Sequence, residues 1–337
     1  VLKCRSYPIG FVLLSMLLIA TPDTANAQQS RTRTLTYDPD RKTWAEAPPP
    51  PPGTAEGDLH AVRAQIEEGK YRPALSAIKE FVERYGESDP LYPQVKIAKA
   101  EALVGQCEYY KAHETLQEFL SEFGGMAPTS EALRLEFTIA EAYLRGAKRK
   151  ILGLRVLSGE DIAFQILDEI AADYPDSRLA ELATKTKADH LFDNGEHTLA
   201  ELEYARLLRE YPQSRYYPFA LRRSAEAALT SFAGVDYDEA AIIEAAERYR
   251  EYRLRYTHQA DREGVGNILD SIREMRAEKD FAVGAYYERT DHLSSAIFYY
   301  RLVCEDWLDT IGATKAAARL ELLGASEPIN TNEVSDK

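Results

Sequence analysis

One spacing recurs along this 337-residue chain and constrains its fold more than any other feature. Gly69 stands five residues before Ala74 and Tyr85 eleven after it; Gly195, Ala200 and Tyr211 repeat that frame, closed by Pro212. The same step from alanine to aromatic returns as Ala112 to Phe123, Ala163 to Tyr174, Ala296 to Trp307 and, less cleanly, Ala245 to Tyr256. The residue four after each alanine is apolar or aromatic: Ile78, Leu116, Leu167, Tyr204, Tyr249 and Tyr300. On a helix, positions four and eleven along lie on the face that carries the alanine. A small side chain there lets two helix axes approach closely. The glycine supplies a tight turn between helices, and Pro175 and Pro212 stop the second helix of a pair. Asp176-Ser177 and Gln213-Ser214 follow with side chains that can cap the next helix. From Asp58 onward the chain therefore predicts helices of about 12 to 18 residues joined by short breaks and stacked as hairpins.

A frame of this kind belongs to tetratricopeptide-type repeats. The expected fold is all-α, a right-handed α-α superhelix of six helix pairs plus a C-terminal capping helix from Thr310 to Leu323. The alanines are 38, 51, 37, 45 and 51 residues apart, against about 34 in a regular array of this class. The long steps point to an insertion around Ala147 to Asp161 and a long helix from about Arg262 to Glu288. The repeat domain is expected at 58–325, followed by a polar tail at 326–337.

The N-terminal region reads differently. Lys3 and Arg5, an apolar run from Ile9 to Ala20, Pro22 and the triplet Ala25-Asn26-Ala27 form a cleavable export signal over residues 1–27. The run is shorter than the roughly 20 residues needed to span a bilayer. Residues 28–57 end in five prolines, Pro48 to Pro52, and predict a semi-rigid polar spacer. Cys4 precedes the apolar run, whereas a lipid-bearing cysteine would follow it directly, where Ala27-Gln28 stand. Cys107 and Cys304 fall in different repeats and are expected as buried free thiols. The chain has 41 basic and 55 acidic residues, a net charge of -14, and the acids are spread over helical segments. Such a surface argues against nucleic acid as a partner.

The stretch Ala200-Glu201-Leu202-Glu203-Tyr204-Ala205-Arg206-Leu207-Leu208-Arg209-Glu210-Tyr211-Pro212-Gln213-Ser214-Arg215 resembles the BamD (YfiO-type) outer-membrane assembly lipoproteins. Tyr174-Pro175-Asp176-Ser177, Ala296-Ile297-Phe298-Tyr299-Tyr300-Arg301 and Lys148-Arg149-Lys150-Ile151-Leu152-Gly153-Leu154 are similar to that family as well. The resemblance extends over roughly residues 57–323. It implies a periplasmic protein at the inner face of the outer membrane that docks on the insertase BamA and helps deliver unfolded β-barrel proteins. The departure is the missing lipobox cysteine. The Tyr-Pro-x-Ser endings are also shared with YbgF proteins of the Tol-Pal system, but no sustained heptads precede Asp58 as a YbgF-like coiled coil would require.

No chemistry competes with a binding role. Nucleophile-elbow, zinc-protease, phosphate-loop and dinucleotide motifs do not occur, so neither an enzyme nor a cofactor is expected. His190 and His197 form the one metal candidate, but Gly195 predicts a turn between them and no third ligand stands at a suitable spacing. Adjacent acids such as Glu67-Glu68 and Asp168-Glu169 diverge on a helix and suit solvated faces. A lytic cell-wall enzyme would need a catalytic domain beyond the repeats, and nothing after Leu323 could be one. Tyrosine doublets at 109–110, 216–217, 286–287 and 299–300 serve repeat packing or line a peptide groove. The expected partner-contacting residues are Lys148, Arg149, Lys150, Ile151, Leu152, Leu154 and Arg155, a basic and apolar island that either docks a partner or folds back on neighbouring repeats.

Overall fold

Helical hairpins are what form, and the alanine frame is what places them. The structure, a computed structural model, describes residues 35–38, 43–46, 49–126, 128–151, 154–232, 234 and 239–325. The expected export signal and polar tail lie outside the described residues. Among the described residues are fourteen α-helices and two antiparallel two-stranded hairpins. They divide into a unit ending at Glu160 and a unit beginning at Asp161.

The first unit runs β1 (Leu35–Asp38), β2 (Thr43–Glu46), α1 (Ala55–Glu67), α2 (Tyr71–Tyr85), α3 (Tyr92–Gly105), α4 (Tyr109–Phe123), α5 (Thr129–Leu144), β3 (Lys148–Ile151) and β4 (Leu154–Ser158). Helix α1 packs on α2, α3 on α4, and α5 against both α3 and α4. Leu59, Val62, Ala74, Ile78, Phe81, Val95, Ala98 and Ala102 form one core of this unit. The second unit runs α6 (Glu160–Asp173), α7 (Arg178–Asp193), α8 (His197–Glu210), α9 (Tyr217–Ser231), α10 (Ala240–Arg255), α11 (Thr257–Arg262), α12 (Val265–Arg289), α13 (Leu293–Asp306) and α14 (Ile311–Leu322). Its pairs are α7 with α8, α9 with α10, and α12 with α13, and α14 closes the array against α12 and α13.

All six frame alanines, Ala74, Ala112, Ala163, Ala200, Ala245 and Ala296, are 0% exposed. The residues four along are buried with them, and so are those seven along: Phe81, Phe119, Ile170, Leu207, Tyr252 and Val303. The aromatics at eleven sit half-buried where each second helix ends. The turns are equally uniform. Gly69 and Gly195 have φ of 74° and 82°, and Cys107 and Asp291, with φ of 58° and 61°, occupy the same place in the turn. In each case the next amide reaches back to a carbonyl five residues earlier: Lys70 to Gln65, Glu108 to Leu103, Glu196 to Leu191 and His292 to Tyr287, at 2.8–2.9 Å. This closing satisfies carbonyls that the first helix leaves open. Ser177 caps α7 by accepting from the Leu179 amide, and Thr310 caps α14 through Ala313.

Some expectations need correction. The spacer expected over 28–57 contains the hairpin β1–β2, and α1 begins at Ala55, with Thr54 as its cap. The insertion expected around Ala147 to Asp161 is a second β-hairpin, so two short ladders interrupt an otherwise all-α chain. Cys107 and Cys304 are each half-buried where full burial was expected.

In the last pair one carboxylate ties three helices. Glu288 near the end of α12 accepts from the Tyr300 hydroxyl of α13 at 2.7 Å and from the Arg319 guanidinium of α14. The Arg319 hydrogen bonds, then that of Tyr300, hold its carboxyl below the usual range. A depressed native pKa adds stability above the unfolded value of about 4.3 that is lost as pH falls through the native value. Glu288→Gln is therefore expected to lower the unfolding midpoint at pH 7, with the gap to wild type closing below pH ~4 in a series of thermal melts. A non-glycine residue in the left-handed region costs about 1–2 kcal/mol. After the greater unfolded-chain freedom of glycine is set against this, Cys107→Gly should stabilise by about 0.5–1 kcal/mol and Gly195→Ala should destabilise by about 1 kcal/mol. Urea midpoints at unchanged slope would check both signs.

Candidate functional site

Helices α6 and α8 both run into Tyr-Pro, and stacking brings those two ends to one open recess of about 740 Å³ in the second unit. Ala171, Ala172, Pro175 and Pro212 give it apolar walls, and residues 211–214 form one side. Its charged lining is Asp176, Glu181, Glu210 and Arg206. Arg206 is already held, by Glu210 at 2.9 Å and Asp168 at 3.4 Å. The recess thus carries an excess of carboxylate over cation. Apolar walls with a negative rim suit a neutral or basic polypeptide segment and disfavour an acidic one.

Behind the recess an ionic network fixes α6, α7 and α8 to one another. Lys187 of α7 lies 2.8 Å from both Asp168 of α6 and Glu203 of α8. Burial works against its charge, but hydrogen bonds to those two carboxylates leave its pKa raised. The Tyr204 hydroxyl donates to Asp189 at 2.6 Å, and burial together with that carboxylate pushes its pKa far above the ordinary tyrosine range. A phenol so held is a strut between helices and has no proton to offer near neutrality. The sequence reading missed Arg206, Glu181 and this network, although the paired Tyr-Pro endings at 174 and 211 pointed to their neighbourhood.

The residues singled out from sequence are distributed as follows. Lys148, Arg149, Lys150 and Ile151 form β3, while Leu154 and Arg155 open β4; Leu152 lies outside the described residues. The ladder sets Lys150 opposite Arg155 and Ile151 opposite Leu154, and β3 runs beside α4. His190 and His197 flank the expected turn at Gly195 and pack edge-on against Phe164 and Phe192. No group of three ligands that could hold a metal occurs among the described residues. The tyrosine doublets split their roles: Tyr300 is buried, Tyr217 donates to Glu251, and Tyr287 stacks on Tyr299 with ring centroids 5.3 Å apart. Tyr286 is exposed. An unforeseen buried pair joins α4 to α5, where His113 Nδ1 lies 2.8 Å from Glu136.

Residues 153–327 match the YfiO family, described as an outer membrane lipoprotein, and this is more than half of the chain. The chain belongs to the YfiO family. The match begins at residue 153, so it covers less of the first unit than the resemblance drawn from residues 57–323. No curated protein is similar enough to count as a match. Similar solved structures include a thermophilic TPR protein of Thermus thermophilus, at 16% identity over 65% of this chain and 98% of that one, TM-score 0.29. A tetratricopeptide repeat protein of Parabacteroides merdae is 12% identical over 80% and 98%, TM-score 0.35. PilW, a type IV pilus biogenesis factor, is 15% identical over 79% and 99%, TM-score 0.30. Among the described residues no helix is long and apolar enough to cross a membrane.

Replacing Lys187 by methionine keeps much of the side-chain volume but leaves Asp168 and Glu203 only the longer contacts to Arg206, at 3.4 and 3.8 Å. A loss of about 1–2 kcal/mol at pH 7 is expected for this mostly buried site, read from urea denaturation of wild type and Lys187→Met side by side.

Proposed function

We propose that this YfiO-family chain is a non-enzymatic periplasmic scaffold that holds polypeptide segments during assembly of β-barrel proteins into the outer membrane, docked on a BamA-like insertase. Family membership over residues 153–327 carries this reading. The recess supports it, because it offers apolar walls and a carboxylate rim. Stacked repeats add contact area unit by unit, so an extended segment can be held without one deep pocket. In this reading residues 1–27 are a cleaved signal, the segment before Asp58 is a tether, and the repeats over 58–325 are the working domain.

Incubating the exported chain with BamA-like periplasmic domains and with unfolded β-barrel segments tests this. Retention of either is expected, with Ala172→Asp weakening segment binding about tenfold by placing a charge in the apolar wall of the recess. Circular dichroism of the variant should keep its helical signal. An eluate without any barrel-assembly component, together with no segment binding, would refute the reading.

A further inference from the structure

The position nine residues after the frame alanine is hollow in one repeat and projecting in another. In α6 it is Ala172, an exposed small residue in the wall of the recess. In α10 it is Leu254, 82% exposed, the most exposed large apolar side chain among the described residues. Arg250, one turn before it, and the adjacent Arg253 are exposed as well, and neither forms an ion pair among the described residues. Arg255 beyond them is tied to Glu251 at 3.2 Å. Glu247 precedes this group, and the collar around Leu254 stays net positive with it counted. Cations in the last turn suit the negative end of a helix dipole, and a single exposed leucine is ordinary on a protein surface. What sets this one apart is that the same molecule carries its complement.

Leu254 and the recess lie on one edge of the second unit. Arg206, six after the frame alanine of α8, meets Asp168, five after that of α6, at 3.4 Å. Arg248, three after the frame alanine of α10, meets Glu201, one after that of α8, at 2.6 Å. Each pair joins frame positions no more than two residues apart, or about 3 Å along a helix axis. Helices α6, α8 and α10 therefore run parallel and nearly level, and their ends share an edge. Asp176 and Glu181, in the rim of the recess, form no ion pair among the described residues. One edge thus carries an apolar hollow rimmed by carboxylates and an apolar knob collared by arginines, and the recess of about 740 Å³ has room for a leucine. Opposite signs around hollow and knob make the edge complementary to itself. Two such patches displaced along one edge close on those of another copy about a two-fold axis, and both contacts form at once.

We propose that this edge pairs with a second copy of the chain, each copy seating Leu254 in the recess of the other while Arg250 and Arg253 face Asp176 and Glu181. The proposal rests on the reading of the recess as a polypeptide-binding site and adds its regulation. A recess filled by a second copy is closed to other segments, and a bound segment displaces the copy.

Sedimentation equilibrium of the exported chain over about a hundredfold range of concentration is expected to show reversible dimers. Leu254→Asp, and separately Ala172→Leu, which fills the hollow, should each weaken dimerisation about tenfold or more, because one substitution alters both symmetric contacts. Both positions are exposed, so the helical circular dichroism of each variant should match wild type. A charge exchange tests the pairing itself. Arg250→Glu with Arg253→Glu in one chain, and Asp176→Lys with Glu181→Lys in another, should each leave monomers when alone and give a mixed dimer when combined, since only the mixture restores opposite signs at both contacts. Leu254→Asp should still retain an unfolded β-barrel segment at least as well as wild type, its recess being free. A wild-type chain that stays monomeric yet retains segments would overturn this proposal alone, whereas loss of both would remove the reading of the recess with it. Dimers indifferent to Leu254→Asp or to Ala172→Leu, or exchanged chains that fail to pair on mixing, would also overturn it.

Discussion

Everything in both units depends on how near two helix axes can come at one alanine per repeat. Each of the six is 0% exposed, and overpacking such a site forces rotamers or backbone to move at a cost of about 1–3 kcal/mol. The close crossing directs the residues four and seven along into the space between helices. There Ile78 and Phe81, Leu116 and Phe119, Tyr204 and Leu207, and Tyr300 and Val303 are buried. In four of the six repeats a left-handed turn five residues earlier matters as much, because it returns the chain at once and leaves no long loop whose closure entropy would offset the burial. Spacing, turn and crossing are three consequences of one requirement, that a short amphipathic helix cannot bury its apolar stripe alone.

The acidic excess is handled between helices. Arg248 of α10 engages Glu201 of α8, Glu244 of its own helix and the Ser224 hydroxyl of α9. Arg223 of α9 lies 3.9 Å over the Phe192 ring of α7 and pairs with Glu226 at 3.3 Å. In these places arginine and lysine act as mostly buried cross-helix ties, and the surplus carboxylates remain at the edges. The consequence reaches function. Cations engaged in internal ties leave the recess beside Tyr211 with a negative lining, which sets the charge of what it can accept.

The repeat was legible because its chemistry is local and periodic. The capping helix expected from Thr310 to Leu323 is α14 with Thr310 as its cap, and the long helix expected from about Arg262 to Glu288 is α12. Two turns were harder to see, since Cys107 and Asp291 stand where Gly69 and Gly195 announce a left-handed residue. The hairpin β3–β4 escaped for a related reason. Its sequence lacks the period-two alternation of a half-buried strand, the ladder slips between Arg149 and Lys150, and Leu152-Gly153 is not one of the turn pairs that signal a two-residue connection. The recess could be only half read: the Tyr-Pro endings mark where helices stop, but which two ends share a cleft is decided by stacking. His113 and Glu136 meet across a helix pair 23 residues apart, and no local pattern encodes such a meeting.

Fold and family signals separate along this chain, and the separation is informative. The alanine frame shapes α1 to α4 as it shapes α7 to α13, yet the family match begins only at residue 153. Ala74 and Ala112 are as deeply buried as Ala200 and Ala296, although they lie outside the matched residues. The frame therefore places buried alanines alike inside the matched residues and outside them. Lys148 to Leu152 also lie outside the family match.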